Sequence, residues 1–395
     1  MTKSGIIKQE IISLMGDKNR HSVQEMKEYL IKRQIGEYTE GQFAGALNNL
    51  QKNGVIDKTE RGVYIMTDKN DNTQRKCFVV SPIGDEIIDQ EPGLEGMYKA
   101  AELPGRICYG SQDKMAPGTA EKFCNGLMKS NHGAPLEHGT VYLKAPKIYD
   151  LLDELDFNYE GCALDKYRFN KYSKCKEDTD YMYVTTNLRV LFENGWMDDL
   201  QYWCEPTEYH EKRIQVRFQV DRFTGEEFLR HRVASFNRES TRYVLFTKEK
   251  FGGGSIKYII PVWMLDKQDA INSLKDYSIS DFCKCVMDFE AGTGPMDDVC
   301  AWMFALKACE WSYCTLTNQY GWKAEQARTV LPCAISSPLI KTAFISDWVH
   351  FFNLRALGTT GKPHPQAFEL ADPLMKEFIE RGLIQIDENN VLKIV

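Results

Sequence analysis

No apolar run in this chain is long enough to span a bilayer. Its opening residues, Met1-Thr2-Lys3-Ser4, begin a polar helical stretch rather than the apolar segment of a secretory leader. A soluble, cytoplasmic protein with no membrane partner is therefore expected. Net charge is also scarce: 49 basic against 56 acidic residues leave −7, too mild a balance for a nucleic-acid coat or a membrane-surface protein. The twelve cysteines are scattered from Cys77 to Cys333 and suggest no disulfide framework. The one close pair, Cys283-Lys284-Cys285, has no second pair at zinc-ligand spacing, so no metal site is expected and the thiols read as reduced, mostly buried small hydrophobes.

What the chain does have is length and a dense group of arginines. At 395 residues it can hold two or three domains. Arg230-His231-Arg232-Val233-Ala234-Ser235-Phe236-Asn237-Arg238-Glu239-Ser240-Thr241-Arg242-Tyr243 carries four arginines, a histidine, two serines and a glutamate. Guanidinium groups packed so closely are costly unless an anion neutralises them, so the segment asks for a phosphorylated or otherwise electron-rich ligand. The plain alternative is a solvated basic face.

A polar run, Thr67 to Lys76, reads as a linker after a first domain at 1–66. Three amphipathic stretches, about 5–15, 22–33 and 39–53, precede a hairpin at 55–65. Ser22 and Thr39 are the expected N-caps, and Gly54 the stop of the third helix. This pattern resembles a winged helix-turn-helix module. DNA binding through the third helix is one reading. Between Thr39 and Asn53, however, only Glu40 and Lys52 are charged, which favours a protein-contact or packing role.

Beyond the linker, at 77–395, Cys77 to Ser81 reads as a strand, 100–109 and 119–130 as helical or turn segments, and Gly139 to Leu143 as a half-buried strand entered from His138. His138 is open to a structural or a functional reading. Arg213 to Val220 alternates as a strand with one apolar face. A helix is expected to follow, capped by Thr224 with Glu227 completing the box. Leu229, Val233 and Phe236 would form its core stripe, leaving Arg230 free to face a cleft.

Arg230-His231-Arg232, seven residues and then Ser240-Thr241-Arg242-Tyr243 resemble the signature of the flavin-dependent thymidylate synthases, the ThyX family. Pro135-Leu136-Glu137-His138, Ala327-Arg328-Thr329-Val330-Leu331-Pro332, Phe352-Asn353-Leu354-Arg355 and His364-Pro365-Gln366 resemble its other motifs, in order. The resemblance covers roughly 77–380 and implies an α+β fold, a mixed sheet with helices, in a homotetramer with active sites between subunits. It implies reductive methylation of dUMP to dTMP, with 5,10-methylenetetrahydrofolate as carbon donor, FAD as hydride carrier and NADPH as reductant. Carried over position by position, it gives a dUMP set of Glu227, Arg230, Arg238, Glu239, Ser240, Thr241, Arg242, Arg328 and Arg355. The FAD set is His138, Thr140, Arg230, His231, Arg232, Arg238, His350 and His364. Arg355 is the implied catalytic residue, a fixed cation that stabilises the uracil imide anion. Ser240 is assigned to binding, since no partnered base stands beside it in the sequence.

Three departures stand out. Glu227 and Arg238 replace the family's usual Gln and Glu, and are read as a compensating pair. Phe344-Ile345-Ser346 replaces its Asn-x-Arg on the adenosine side of the flavin. Residues 144–212 are much longer than the matching stretch of compact members and read as an insertion, a lid or an oligomer contact. A closing hairpin is expected at 383–386 and 391–394. Two other readings stay open: an enzyme modifying C5 of a different pyrimidine nucleotide, and a nucleic-acid-binding regulator with an inactive synthase-like domain.

Overall fold

The computed structural model describes residues 3–17, 19–52, 55–66, 78–80, 83–153, 156–248, 256–389 and 391–395. The expected linker and Gly54 lie outside these residues. The chain forms two compact units, neither continuous in sequence: 1–79 with 241–258 and 267–332, and 80–240 with 259–266 and 333–395.

In the first unit, helices Lys3–Met15, Val23–Lys32 and Glu40–Lys52 pack through Ile7, Ile11, Met26, Leu30, Phe43 and Leu47. Ser22 begins the second helix as expected. Its hydroxyl accepts from Glu25 N at 3.2 Å while the Glu25 carboxylate accepts from Ser22 N at 2.7 Å, so two otherwise unpaired donors are satisfied. Thr39 and Gln42 exchange the same two bonds at 3.2 and 2.9 Å. The expected hairpin is present as Ile56–Glu60 and Val63–Met66, turned at Gly62 with φ 78°, a conformation that favours glycine. A third strand, Arg20–Ser22, pairs antiparallel with Val63–Met66. The rest of this unit is mainly helical, its longest helix being Asp298–Asn318.

The second unit mixes sheet and helix. A four-stranded antiparallel sheet runs in the order Ser235–Arg238, Ser336–Phe344, Arg213–Asp221, Ile83–Ile88. Val216, Phe218 and Val220 on one face meet Trp348, Phe351 and Phe378 from the helices Ile345–Arg355 and Pro365–Glu380. The opposite face differs from the simple alternation expected: Arg213 and Gln215 are buried as well. Gln215 Nε2 donates to the Ala100 carbonyl of the helix Gly93–Cys108, which covers that side. Thr140 to Leu143 is likewise buried throughout rather than half-buried.

The stretch expected as an insertion is largely a second sheet, ordered Asp156–Cys162, Thr140–Asp153, Tyr181–Asn187, Lys174–Glu177. Its core includes Val141, Leu143, Tyr167, Met182 and Val184. The closing hairpin forms from Ile384–Ile386 and Leu392–Ile394, and Ile384 and Leu392 seal the aromatic core.

One expected helix is corrected. It runs only from Arg222 to Phe228, and Asp221, not Thr224, is its cap: Asp221 accepts from Thr224 N at 3.0 Å. Past His231 the chain straightens, and Ser235–Arg238 pairs with Leu339 to Thr342. Edge hydrogen bonds to that strand replace helical ones, and Val233, expected in the core, is 65% exposed.

Candidate functional site

Two constellations in the second unit gather most of the expected residues. The first sits where the short helix Arg222–Phe228 meets the C-terminal end of Ile345–Arg355. Arg355 donates from Nη1 to the Glu227 carboxylate at 2.7 Å, from Nη2 to the Glu227 carbonyl at 3.2 Å, and from Nε to His231 Nε2 at 3.2 Å. A guanidinium can only donate, so His231 Nε2 accepts and the neutral ring carries its proton on Nδ1. Burial, reinforced by Lys341, Arg355 and His350, pushes His231 down to about 3, which agrees with that state. His231 Nδ1 is buried and has no hydrogen-bond partner among the described residues. The ring lies edge-on to Phe351 at 5.0 Å and to the exposed His350 at 5.7 Å.

Lys341 belongs to this constellation and was not anticipated. It is fully buried in the central strand, its Nζ has no hydrogen-bond partner among the described residues, and it stands 4.0 Å from the ring centroids of both Trp348 and Phe351. Burial, with Arg355 nearby, holds the amine well below its ordinary range, and Asp347 only partly offsets this. The signal available in the sequence was a lone cation inside the mostly apolar Leu339-Ile340-Lys341-Thr342-Ala343-Phe344.

The second constellation is a cleft of about 530 Å³. Arg213 is buried there. Its guanidinium donates to the Glu137 carbonyl at 2.9 Å, to Ser235 Oγ at 3.0 Å and more weakly to Thr140 Oγ1 at 3.4 Å, all neutral acceptors. Burial lowers it to about 10. His138 lies beside it, accepting or donating at 2.7 Å through Nδ1 with Thr342 Oγ1. Burial and the Arg213 charge push His138 down to about 3, with Asn237 opposing. Arg232 lines the same cleft and is exposed.

The remaining expected residues are dispersed. Arg230 is exposed beside His231, and His364 is exposed with its ring 6.3 Å from Trp263. Glu239 and Ser240 are anchored through their backbone amides to the Pro338 and Cys108 carbonyls. Thr241, Arg242 and Arg328 belong to the first compact unit, where Arg242 pairs loosely with Glu325 at 3.9 Å. The compensating pair is corrected: Glu227 binds Arg355, whereas Arg238 binds Glu226 at 2.8 Å. Each charge is answered by a different neighbour, so neither needs the other.

Residues 207–381 match the family model described as thymidylate synthase complementing protein. A flavin-dependent thymidylate synthase of Geobacter sulfurreducens is 29% identical over 136 residues, 34% of this chain and 44% of that protein, so the chain spans less than half the length of this curated relative. Among solved structures, the UMP/dUMP methylase PolB of Streptomyces cacaoi bound with 5-Br UMP aligns at 16% identity and a TM-score of 0.33, over 77% of this chain and 92% of that one. ThyX of Helicobacter pylori with FAD and dUMP aligns at 12% identity and 0.28, over 75% and 91%. Residues 207–381, which hold the Arg-His-Arg segment, Arg328 and Arg355, are thus the part of the chain that is similar to the flavin-dependent thymidylate synthase (ThyX) family.

Proposed function

We propose that this protein is a flavin-dependent thymidylate synthase, converting dUMP to dTMP with 5,10-methylenetetrahydrofolate and NADPH. The observation that carries the reading is Arg355, fixed by three donated hydrogen bonds to Glu227 and His231. A guanidinium that cannot wander is suited to stabilise an imide anion as it develops on a uracil ring, which raises the nucleophilicity of C5. Glu227 orients that cation and lies in the dUMP set. His231 keeps a neutral ring with a buried Nδ1–H free to donate to a ligand.

The donor set of the cleft fits a flavin dinucleotide: a buried guanidinium bound only to neutral oxygens and an exposed Arg232 are suited to phosphate oxygens. When bound, FAD would supply the hydride chemistry that no side chain here can perform. Arg232, His231 and Thr140 would help to hold it, and His138 would stiffen the cleft through Thr342. Arg230, Arg238, Glu239, Ser240, Thr241, Arg242 and Arg328 complete the proposed dUMP set, with His350 and His364 on the flavin side. The same reading includes a cytoplasmic homotetramer.

Residues 3–66 are proposed as a winged-helix-like module, supported by three helices and a three-stranded sheet in which the last strand lies between the other two. The exposed side of Glu40–Lys52 is formed by residues such as Gln42, Ala44, Asn48 and Asn49, which suits a protein contact better than a phosphate backbone.

Purified full-length protein should take up FAD, seen as bound-flavin absorbance, and form dTMP from dUMP, methylenetetrahydrofolate and NADPH. Bound flavin without dTMP would move the assignment to an enzyme acting at C5 of another pyrimidine nucleotide. Absence of flavin uptake on reconstitution would support an inactive synthase-like domain instead.

A further inference from the structure

The helix Asp298–Asn318 of the first compact unit carries a buried ion pair that neither constellation uses. Lys307 and Glu310 are each 1% exposed, and Lys307 Nζ donates to Glu310 Oε2 at 3.4 Å. Such a pair adds little stability, because the cost of desolvating two charges offsets most of their attraction. The other carboxylate oxygen reaches a different stretch of the chain: Glu310 Oε1 accepts from Ile256 N at 3.1 Å. We propose that Glu310, held by Lys307, is a positioning residue for a pyrimidine nucleotide, fixing the segment 241–258 that begins with Thr241 and Arg242.

The same face of the helix receives that segment on both sides of its described ends. Val244 and Phe246 are buried, and the Phe246 ring meets the fully buried Tyr313 at 5.9 Å. Tyr258, also fully buried, donates from its hydroxyl to the Leu306 carbonyl at 3.3 Å. Leu306, Glu310 and Tyr313 follow one another at spacings of four and three, so they share one side of the helix. Farther along, Trp322 N donates to the Leu316 carbonyl at 2.9 Å, which ties down the turn leading into Ala324–Ala327 and Arg328. Ala324–Ala327 and Arg328–Val330 pack on the long helix as well, and Arg242 reaches Glu325 at 3.9 Å. Two stretches that carry proposed dUMP residues therefore rest on one helix, and Glu310 is where its side chain grips the backbone of the first.

A carboxylate suits this place for a definite reason. Both of its oxygens accept, one from an amide N–H and the other from an ammonium group. Glutamine has the same shape but one accepting oxygen; with that oxygen on Ile256 N, its NH2 faces Lys307, donor against donor. A buried ammonium deprived of its carboxylate is costly, and a shift of the neighbouring backbone relieves it. A small misplacement of Thr241 and Arg242 is then transmitted to the nucleotide they hold, although Glu310 itself is not a ligand.

The identity of the nucleotide rests on the proposed function; the anchoring of the segment does not. The test is calorimetric titration of the full-length protein, incubated with FAD, and of its Glu310→Gln and Tyr258→Phe variants, with dUMP and UMP. Bound-flavin absorbance and hydrogen exchange at Ile256 are followed in parallel. Glu310→Gln should weaken the nucleotide that the parent binds about tenfold or more and speed exchange at Ile256, in line with the loss of a charge-assisted contact. Tyr258→Phe, which removes one neutral hydrogen bond, should weaken it about threefold and decides the matter if the first variant does not fold. Both folded variants should retain flavin as the parent does, whereas a purely structural role would lower flavin retention and nucleotide affinity together. That joint loss, or unchanged nucleotide affinity in the folded variants, would overturn the positioning role and leave the proposed function standing. Parent binding of UMP in place of dUMP, with the same losses in the variants, would keep the positioning role and move the function to the other nucleotide. Binding of neither by the parent would remove both.

Discussion

The second compact unit contains two sets of basic groups that the sequence alone does not distinguish. Around Arg355 the positive charge is answered from within: Glu227 supplies a carboxylate and a carbonyl, His231 is neutral, and Lys341 is held well below its ordinary range by burial. Around the cleft Arg213 is answered only without contact, by Glu137 and Asp347. Arg213 bonds only neutral oxygens, and Arg232 and Lys171 have no carboxylate partner among the described residues. A cluster neutralised by its own neighbours keeps its geometry without a ligand and is suited to orient a reacting group. A cluster left positive is suited to draw an anion and hold it.

The sharpest way to break this contrast is Arg355→Ala. It removes the fixed cation and strands Glu227, so dTMP formation should fall about 100-fold or more while FAD is still retained, as followed by turnover and by bound-flavin absorbance. Retained turnover would place the reacting group elsewhere. Lys341→Met comes next, and its effect is on stability. A buried amine without a hydrogen-bond partner costs about 1–3 kcal/mol, so urea unfolding should show the variant more stable at neutral pH. The sign follows from linkage: the native lysine lies below its ordinary value of 10.5, so the unfolded chain binds the extra proton and the parent gains stability as pH rises toward 10.5. That rise should be shallower in the methionine variant, and a destabilised variant would mean that the amine is charged and stabilised by the rings. Least of all, Arg232→Gln should shift the unfolding free energy by no more than about 0.5 kcal/mol, because the exposed guanidinium makes no ion pair among the described residues. A larger loss would show that the cleft is neutralised internally after all.

Much of the fold was legible because local rules and tertiary packing agree there. Ser22 with Glu25 and Thr39 with Gln42 satisfy the first amides of a helix by local bonds alone, and alternation in Arg213 to Val220 gave the central strand. Legibility failed after Phe228. Leu229, Val233 and Phe236 fall at helical spacing, but the open edge of Ser336–Phe344 offers backbone partners that outweigh that periodicity. Arg213 and Gln215 were read as a polar face, and the helix Gly93–Cys108, distant in sequence, buries them.

The candidate site divides in the same way. Its residue types were set by the sequence: a fork of donors at Arg355, a histidine between two arginines at His231, and several guanidinium groups asking for phosphate. Their pairings were not. Glu227 meets Arg355, and Arg238 meets Glu226, because strand register and the approach of the helix Ile345–Arg355 decide which charges come within 3 Å, and an ion pair depends on that distance far more than on sequence spacing. Burial decided the rest: it made His231 a neutral ring and holds the Lys341 amine well below its ordinary range. Local chemistry thus fixed which donors and charges were available. Only the assembled sheet and helices decided which were neutralised and which were left for a ligand, since desolvation and pairing arise from neighbours far apart in the chain.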